Sequence, residues 1–283
     1  MQTARISALL EPFLTHPLSE PQLNQISIYI DLLQRWNARI NLTAIRTEEE
    51  IVTRHFGESL FLARHVFPRV ERTLLPTKAN TSEMPAPPIS PTQCHPERSH
   101  VIREADAKAQ SKDPYSTTKS GAKEDHHGST AHRPPTADHR VLDIGSGAGF
   151  PALPLKIWAP QLHLNMIESN HKKSAFLKEV SRALTFTNIN VITERAEDIS
   201  ARPDHHQRQA EVVTLRAVER FEAILPQAID FLADHSTLAL LIGASQIPKL
   251  SSHSTLNWQP PIPIPNSNTR VLLLGYTSNR SIK

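Results

Sequence analysis

The sequence predicts an α/β fold, a mostly parallel sheet covered on both faces, with an N-terminal helical lobe at 1–75 and a long disordered insertion at 76–138. Three observations predict it. From residue 139 onward, short apolar runs alternate with stretches of helical period, the pattern of strands separated by helices. Before residue 75, apolar residues recur at helical spacing. Between the two regions the composition breaks: residues 76–138 hold nine of the 23 prolines, and their large aliphatic residues are only Ile89, Val101 and Ile102.

Composition narrows the class. The chain has 283 residues, a net charge of +3 and 39% hydrophobic residues, enough to bury a core in one large domain or two small ones. No run approaches the ~18–20 uncharged apolar residues of a spanning helix, so no membrane segment is expected. The start, MQTARISALLEPFL, lacks the charged region, apolar run and cleavage site of a signal peptide. A single cysteine, Cys94, permits no internal disulfide and fits a reducing, cytoplasmic setting. A pI near 9.1 permits nucleic-acid binding, but a charge of +3 makes a weak field.

In the lobe, Ser19 and Gln22 form a capping box with Pro21 in the first turn. Leu23, Ile26, Ile30, Leu33, Asn37 and Ile40 follow at helical spacing, all apolar but Asn37. A second box, Thr47 with Glu50, opens a helix through Ile51, His55 and Leu62. Residues 76–138 balance their charges and bury too little to offset ordering entropy, so they read as disordered. Stretching a connection from ~10 to ~70 residues costs only about 1.7 kcal/mol. Cys94, His95, His100, His126, His127 and His132 fall there without the paired spacing of a structural zinc site, and no metal is expected.

After the insertion, His139–Ile144 reads as a strand, then a glycine loop, then a helix near Pro151–Trp158. Leu162–Glu168 is a strand, and Lys172–Leu184 a helix with Ala175, Phe176, Val180 and Leu184 on one face. Ile189–Thr193 and Glu211–Leu215 are strands, Arg220–Ala233 a helix, and Leu238–Gly243 and Arg270–Tyr276 further strands. The PPIPIP stretch at 260–265 reads as a rigid connector. Ligands in such sheets sit at the carboxyl ends of the strands, at the switch point.

The strongest local signal is Val141-Leu-Asp143-Ile-Gly145-Ser-Gly147-Ala-Gly149-Phe150-Pro151. Glycine lets backbone approach a ligand without a Cβ in the way. Glu168 ends the next strand, where an acid can accept hydrogen bonds from ribose hydroxyls. Dinucleotide and S-adenosylmethionine sites share both features. The dinucleotide spacing is G-x-G-x-x-G, whereas here it is G-x-G-x-G, the usual pattern of Rossmann-like methyltransferases.

Longer stretches resemble one family. Leu32-Leu-Gln-Arg-Trp36-Asn37-Ala-Arg-Ile-Asn41-Leu42-Thr43-Ala-Ile45, Arg54-His55-Phe-Gly-Glu58-Ser59-Leu60, Val141–Leu155, Glu194-Arg195-Ala196-Glu197 and Thr214-Leu-Arg216-Ala217-Val218 are similar to the RsmG (GidB) family of bacterial 16S rRNA (guanine-N7) methyltransferases. The resemblance implies a Rossmann-like class I methyltransferase sheet over 139–283, S-adenosylmethionine as cofactor, and 16S rRNA or the small ribosomal subunit as partner, with no obligate protein partner. It implies that Gly145 meets the cofactor, with Gly147, Gly149 and Glu168 around it, and that Phe150 is a bulky apolar contact. Ala196 and Glu197 would meet the adenine, and Arg216 would lie near the methyl-transfer face, holding a cofactor carboxylate, a phosphate or guanine O6. Guanine N7 has a free lone pair and no proton, so positioning suffices and no general base is expected.

The residues also have plainer uses. Phe150 suits helix packing, Glu197 a solvated helix start, Arg216 an ion pair, and His55 a buried core histidine. Arg35, Arg39, Arg46 and Arg54 make the lobe basic, which suits RNA or merely a solvated face. Relative to the family pattern, Ala152 replaces a glycine, Glu58 an aspartate and Ile242 a lysine. Two alternatives stay open: a methyltransferase on another substrate, or, suggested by Ile242 and the insertion, an inactive paralogue that binds cofactor or RNA.

Overall fold

The computed structural model describes residues 1–68, 139–204, 208–216, 221–250 and 255–277. The predicted insertion, with its cysteine and histidines, lies outside the described residues. Among the described residues, eight strands form one sheet: β1 (Arg140–Ile144), β2 (His163–Ile167), β3 (Ile189–Ile192), β4 (Ala210–Arg216), β5 (Leu232–Gly243), β6 (Leu256–Trp258), β7 (Ile262–Pro263) and β8 (Arg270–Thr277). Their order is β3-β2-β1-β4-β5-β8-β6, with β7 also paired to β8. The first five run parallel, and β8 runs antiparallel to β5, β6 and β7. Chain order reverses between β1 and β4, so a crevice opens at their carboxyl ends.

The lobe comprises α1 (Thr3–Leu10), α2 (Glu20–Asn37), α3 (Glu48–Glu50), a π-helical stretch Ile51–Gly57, and α4 (Glu58–Val66). The Ser19 amide donates to Gln22 Oε1 at 3.0 Å, closing the predicted box. Gln22 also donates from Nε2 to Ile157 O at 2.9 Å, tying the lobe to α5 (Ala152–Trp158). Asn37 stands in the apolar stripe because it holds the following turn. Its Oδ1 accepts from the Leu42 and Thr43 amides, and its Nδ2 donates to Thr43 O. Thr47 Oγ1 accepts from the Glu50 amide, as predicted, but the helix it opens passes through the π-helical stretch before α4.

Three further helices complete the layers: α6 (His171–Ala183), α7 (Ala196–Ser200) and α8 (Phe221–Asp230). The sheet separates two cores. On one face the lobe, α5 and α6 cover Val141, Met166, Val212, Ala239, Leu241 and Leu272. On the other, α7 and α8 cover Leu142, Ile144, Val213, Leu215, Leu240 and Ile242. Lobe and sheet form one compact unit.

Two expectations need correction. Ala175 is exposed; the buried face of α6 uses Ser174, whose hydroxyl donates to Glu168 O at 2.8 Å. The proline-rich connector contains a strand, because Ile262 and Pro263 pair with Leu272 and Val271 at the edge, where Pro is tolerated. Among the described residues no helix is long and apolar enough to cross a membrane, and no cluster is arranged to hold a metal.

Candidate functional site

The glycine loop leaves β1 and folds back beneath β2. The Gly145 and Ser146 amides donate to Ile167 O at 2.8 and 3.1 Å. Gly145, Gly147 and Gly149 have φ of +69°, +55° and +86°. A Cβ at Gly145 would meet nothing within 4 Å, so the backbone there faces open space. Gly149 is different, because a Cβ would collide with Tyr29 Oη and Leu153. Tyr29 needs that approach, since its hydroxyl donates to Ala148 O at 2.5 Å.

Glu168 locks the loop to the end of β2. Its Oε2 accepts from the Gly147 amide and its Oε1 from the Asn170 amide, each at 2.8 Å. Asp143 lies beneath. Its Oδ1 accepts from Thr214 Oγ1 at 2.6 Å, while Oδ2 is buried without a partner. Burial is the largest influence on this carboxyl and lifts its pKa to about 6, opposed by the Thr214 hydrogen bond. Ala196 is buried and Glu197 exposed in the first turn of α7, just past the end of β3. Gly145, Gly147, Gly149 and Glu168 are therefore brought together directly, with Ala196 and Glu197 on the same carboxyl edge.

Phe150 and Arg216 make their contacts with the lobe. The Phe150 ring is stacked on Tyr29 at 5.2 Å and on His55 at 4.5 Å, with Phe56 edge-on at 5.1 Å. It is 6% exposed, so its observed contacts are packing contacts with the lobe. Arg216, at the end of β4, reaches into the π-helical stretch. Nη1 bonds to His55 Nδ1 at 2.9 Å, and Nη2 donates to Arg54 O at 2.6 Å and Glu58 Oε2 at 3.1 Å. Arg270 Nη2 meets the same Glu58 oxygen at 2.8 Å. Burial pulls the Arg216 pKa down to about 10, opposed by Glu58. Sequence reasoning missed Tyr29, Thr214 and Arg270. Thr214 carried a signal, standing two residues before Arg216 on the same strand face; Arg270 carried none.

Sheet order, the antiparallel β8 and the glycine loop define a Rossmann-like sheet of the class I methyltransferase type. The sequence profile of rRNA small subunit methyltransferase G (GidB) matches residues 22–74 and 130–257, and the chain belongs to this family. A ribosomal RNA small subunit methyltransferase G of Roseiflexus castenholzii is 31% identical over 74% of this chain and 59% of that protein. One of Chloroflexus aggregans is 31% identical over 76% and 62%. The chain thus spans about 60% of the length of these curated relatives. Among solved structures, Pyrococcus horikoshii TYW2 in complex with MeSAdo covers 52% of this chain and 60% of its own, at 15% identity and a TM-score of 0.41.

Proposed function

We propose that the protein is a cytoplasmic enzyme that methylates N7 of a guanine in 16S rRNA, using S-adenosylmethionine. The observation that carries this reading is the open backbone at Gly145, in a glycine loop that Glu168 holds through the Gly147 amide, in a chain of the GidB family. The residues present suit such a cofactor. Open glycine backbone accepts a bulky ligand, Glu168 would supply oxygens for ribose hydroxyls, and Glu197, an exposed acid, would read an adenine amino edge. Asp143 Oδ2 and Arg216 Nε are a buried acceptor and a buried donor without partners among the described residues, matched to the two charged ends of an amino acid. When bound, S-adenosylmethionine supplies an electrophilic methyl group on sulfur.

Guanine N7 needs no base to deprotonate it. The chain's task is to hold the base near the methyl group and exclude water, a proximity effect. Arg35, Arg39, Arg46 and Arg54 are all exposed on the lobe and suit an RNA backbone. The test incubates the protein with labelled S-adenosylmethionine and small-subunit rRNA lacking N7 methylation, naked and as subunits. A single new 7-methylguanine, located by reductive strand cleavage, supports the assignment; cofactor binding without transfer to either substrate sinks it. One observation favours the inactive-paralogue reading. Ile242 stands where the family pattern has lysine, and it is buried in the aliphatic core. Gain of transfer in Ile242→Lys would support that alternative.

A further inference from the structure

The three acceptors around Arg216 come from five consecutive residues of the lobe, 54–58. They are the Arg54 carbonyl, His55 Nδ1 and Glu58 Oε2. His55 accepts at Nδ1 only if its proton sits on Nε2. Nε2 lies 2.8 Å from Thr43 Oγ1, which accepts a hydrogen bond from that N–H and fixes the tautomer. Burial and the neighbouring Arg216, Arg54 and Arg270 keep the imidazole neutral, lowering its pKa to about 2. Glu58 Oε2 is held in turn by Arg270. A guanidinium is a rigid plane, so bonds to both Nη atoms set the direction of Nε–H. That donor is buried and meets no acceptor among the described residues, on a side chain 6% exposed.

We propose that Glu58 and His55 are positioning residues, which fix the Arg216 plane so that its unpartnered Nε–H meets one oxygen of the ligand at the carboxyl end of β4. This rests on the methyltransferase assignment above. It also changes the chemistry expected of Arg216. Both tips of the fork are engaged by the lobe, so a two-pronged grip on a carboxylate or phosphate is closed. With both Nη2 hydrogens taken, the Nε–H beside them suits a single carboxylate oxygen of the cofactor or guanine O6. The lobe thereby acts on the site through Arg216.

A double-variant cycle on the full chain tests this: wild type, Glu58→Gln, Arg216→Lys, both together, and Glu58→Asp. Calorimetry gives Kd for S-adenosylmethionine, and kinetics on small-subunit rRNA give kcat and KM, at a temperature where circular dichroism shows every form folded. Arg216→Lys and Glu58→Gln should each weaken the same ligand about tenfold, the scale of one charge-assisted hydrogen bond. The double variant should be no weaker than Arg216→Lys alone, and Glu58→Asp should recover most of the loss. A change in cofactor Kd assigns the oxygen to the cofactor; a change in RNA KM at constant cofactor Kd assigns it to the base. Effects that multiply, or a Glu58→Gln protein matching wild type, overturn the proposal. If Glu58→Gln does not fold, His55→Asn removes one fixing bond and should lose about threefold on the same ligand; no loss overturns the proposal. Wild type that binds no S-adenosylmethionine overturns the methyltransferase assignment and this inference together. Wild-type binding with unchanged variants overturns positioning alone.

Discussion

The sheet face that meets the lobe carries directional contacts, while the opposite face is closed by α7 and α8 over mainly aliphatic side chains. On the lobe side, Tyr29, His55, Phe56 and Phe150 pack ring on ring, and Glu58 holds two arginines. On the other side, Leu142, Ile167, Ile192 and Phe231 border a cavity of about 260 Å³ shared with Asn165, Asp204 and Arg208. Apolar burial tolerates such looseness, because it depends on area removed from water and not on direction. Hydrogen bonds and ion pairs weaken steeply with angle, so they hold particular atoms in place. One face therefore supplies stability, and the other adds position.

The sharpest test of that contrast is Glu58→Ala. It leaves Arg216 and Arg270 without their shared carboxylate and should cost about 3–5 kcal/mol in denaturant unfolding, with cofactor affinity falling as well. Leu240→Ala on the opposite face should cost about 3 kcal/mol yet leave the cofactor Kd within about twofold of wild type. A large change in Kd from Leu240→Ala would erase the distinction between the faces.

Asp143 gives the next effect. Burial raises its folded pKa to about 6 from an ordinary 3.8, so the folded state holds this proton more tightly than the unfolded chain does. Its contribution to stability is full below about pH 4 and is lost as pH rises through 6. Measured against Asp143→Asn, wild-type stability should drift down by roughly 2–3 kcal/mol across that window and then stay flat. Tyr29→Phe should be the mildest change. It deletes the hydrogen bond to Ala148 O and keeps the ring stack, costing about 1 kcal/mol in unfolding midpoints.

Much of the fold was legible because burial imposes period. The apolar runs at β1, β2 and β4 and the stripe Leu23–Ile26–Ile30–Leu33 are one-dimensional records of which side faces the core. The glycine loop was legible because backbone conformation is a local property. The partners of Arg216 were not: Glu58 stands 158 residues away, and no local pattern records a contact at that separation. Nothing local in the sequence pairs Phe150 with Tyr29, and their stacking exists only once the lobe docks. β6 and β7, at three and two residues, are too short to show a period. The π-helical stretch Ile51–Gly57 has no composition that separates it from an α-helix.

That stretch makes chain length a functional quantity. Removing one residue between Ile51 and Gly57 would turn everything after it by about 100° and draw it back about 1.5 Å. Glu58 would swing away from both arginines while Thr47, upstream, stayed in place. The family profile passes over residues 75–129 entirely, so one part of this chain has absorbed more than fifty extra residues. A few turns earlier, the same chain has no room to miscount by one.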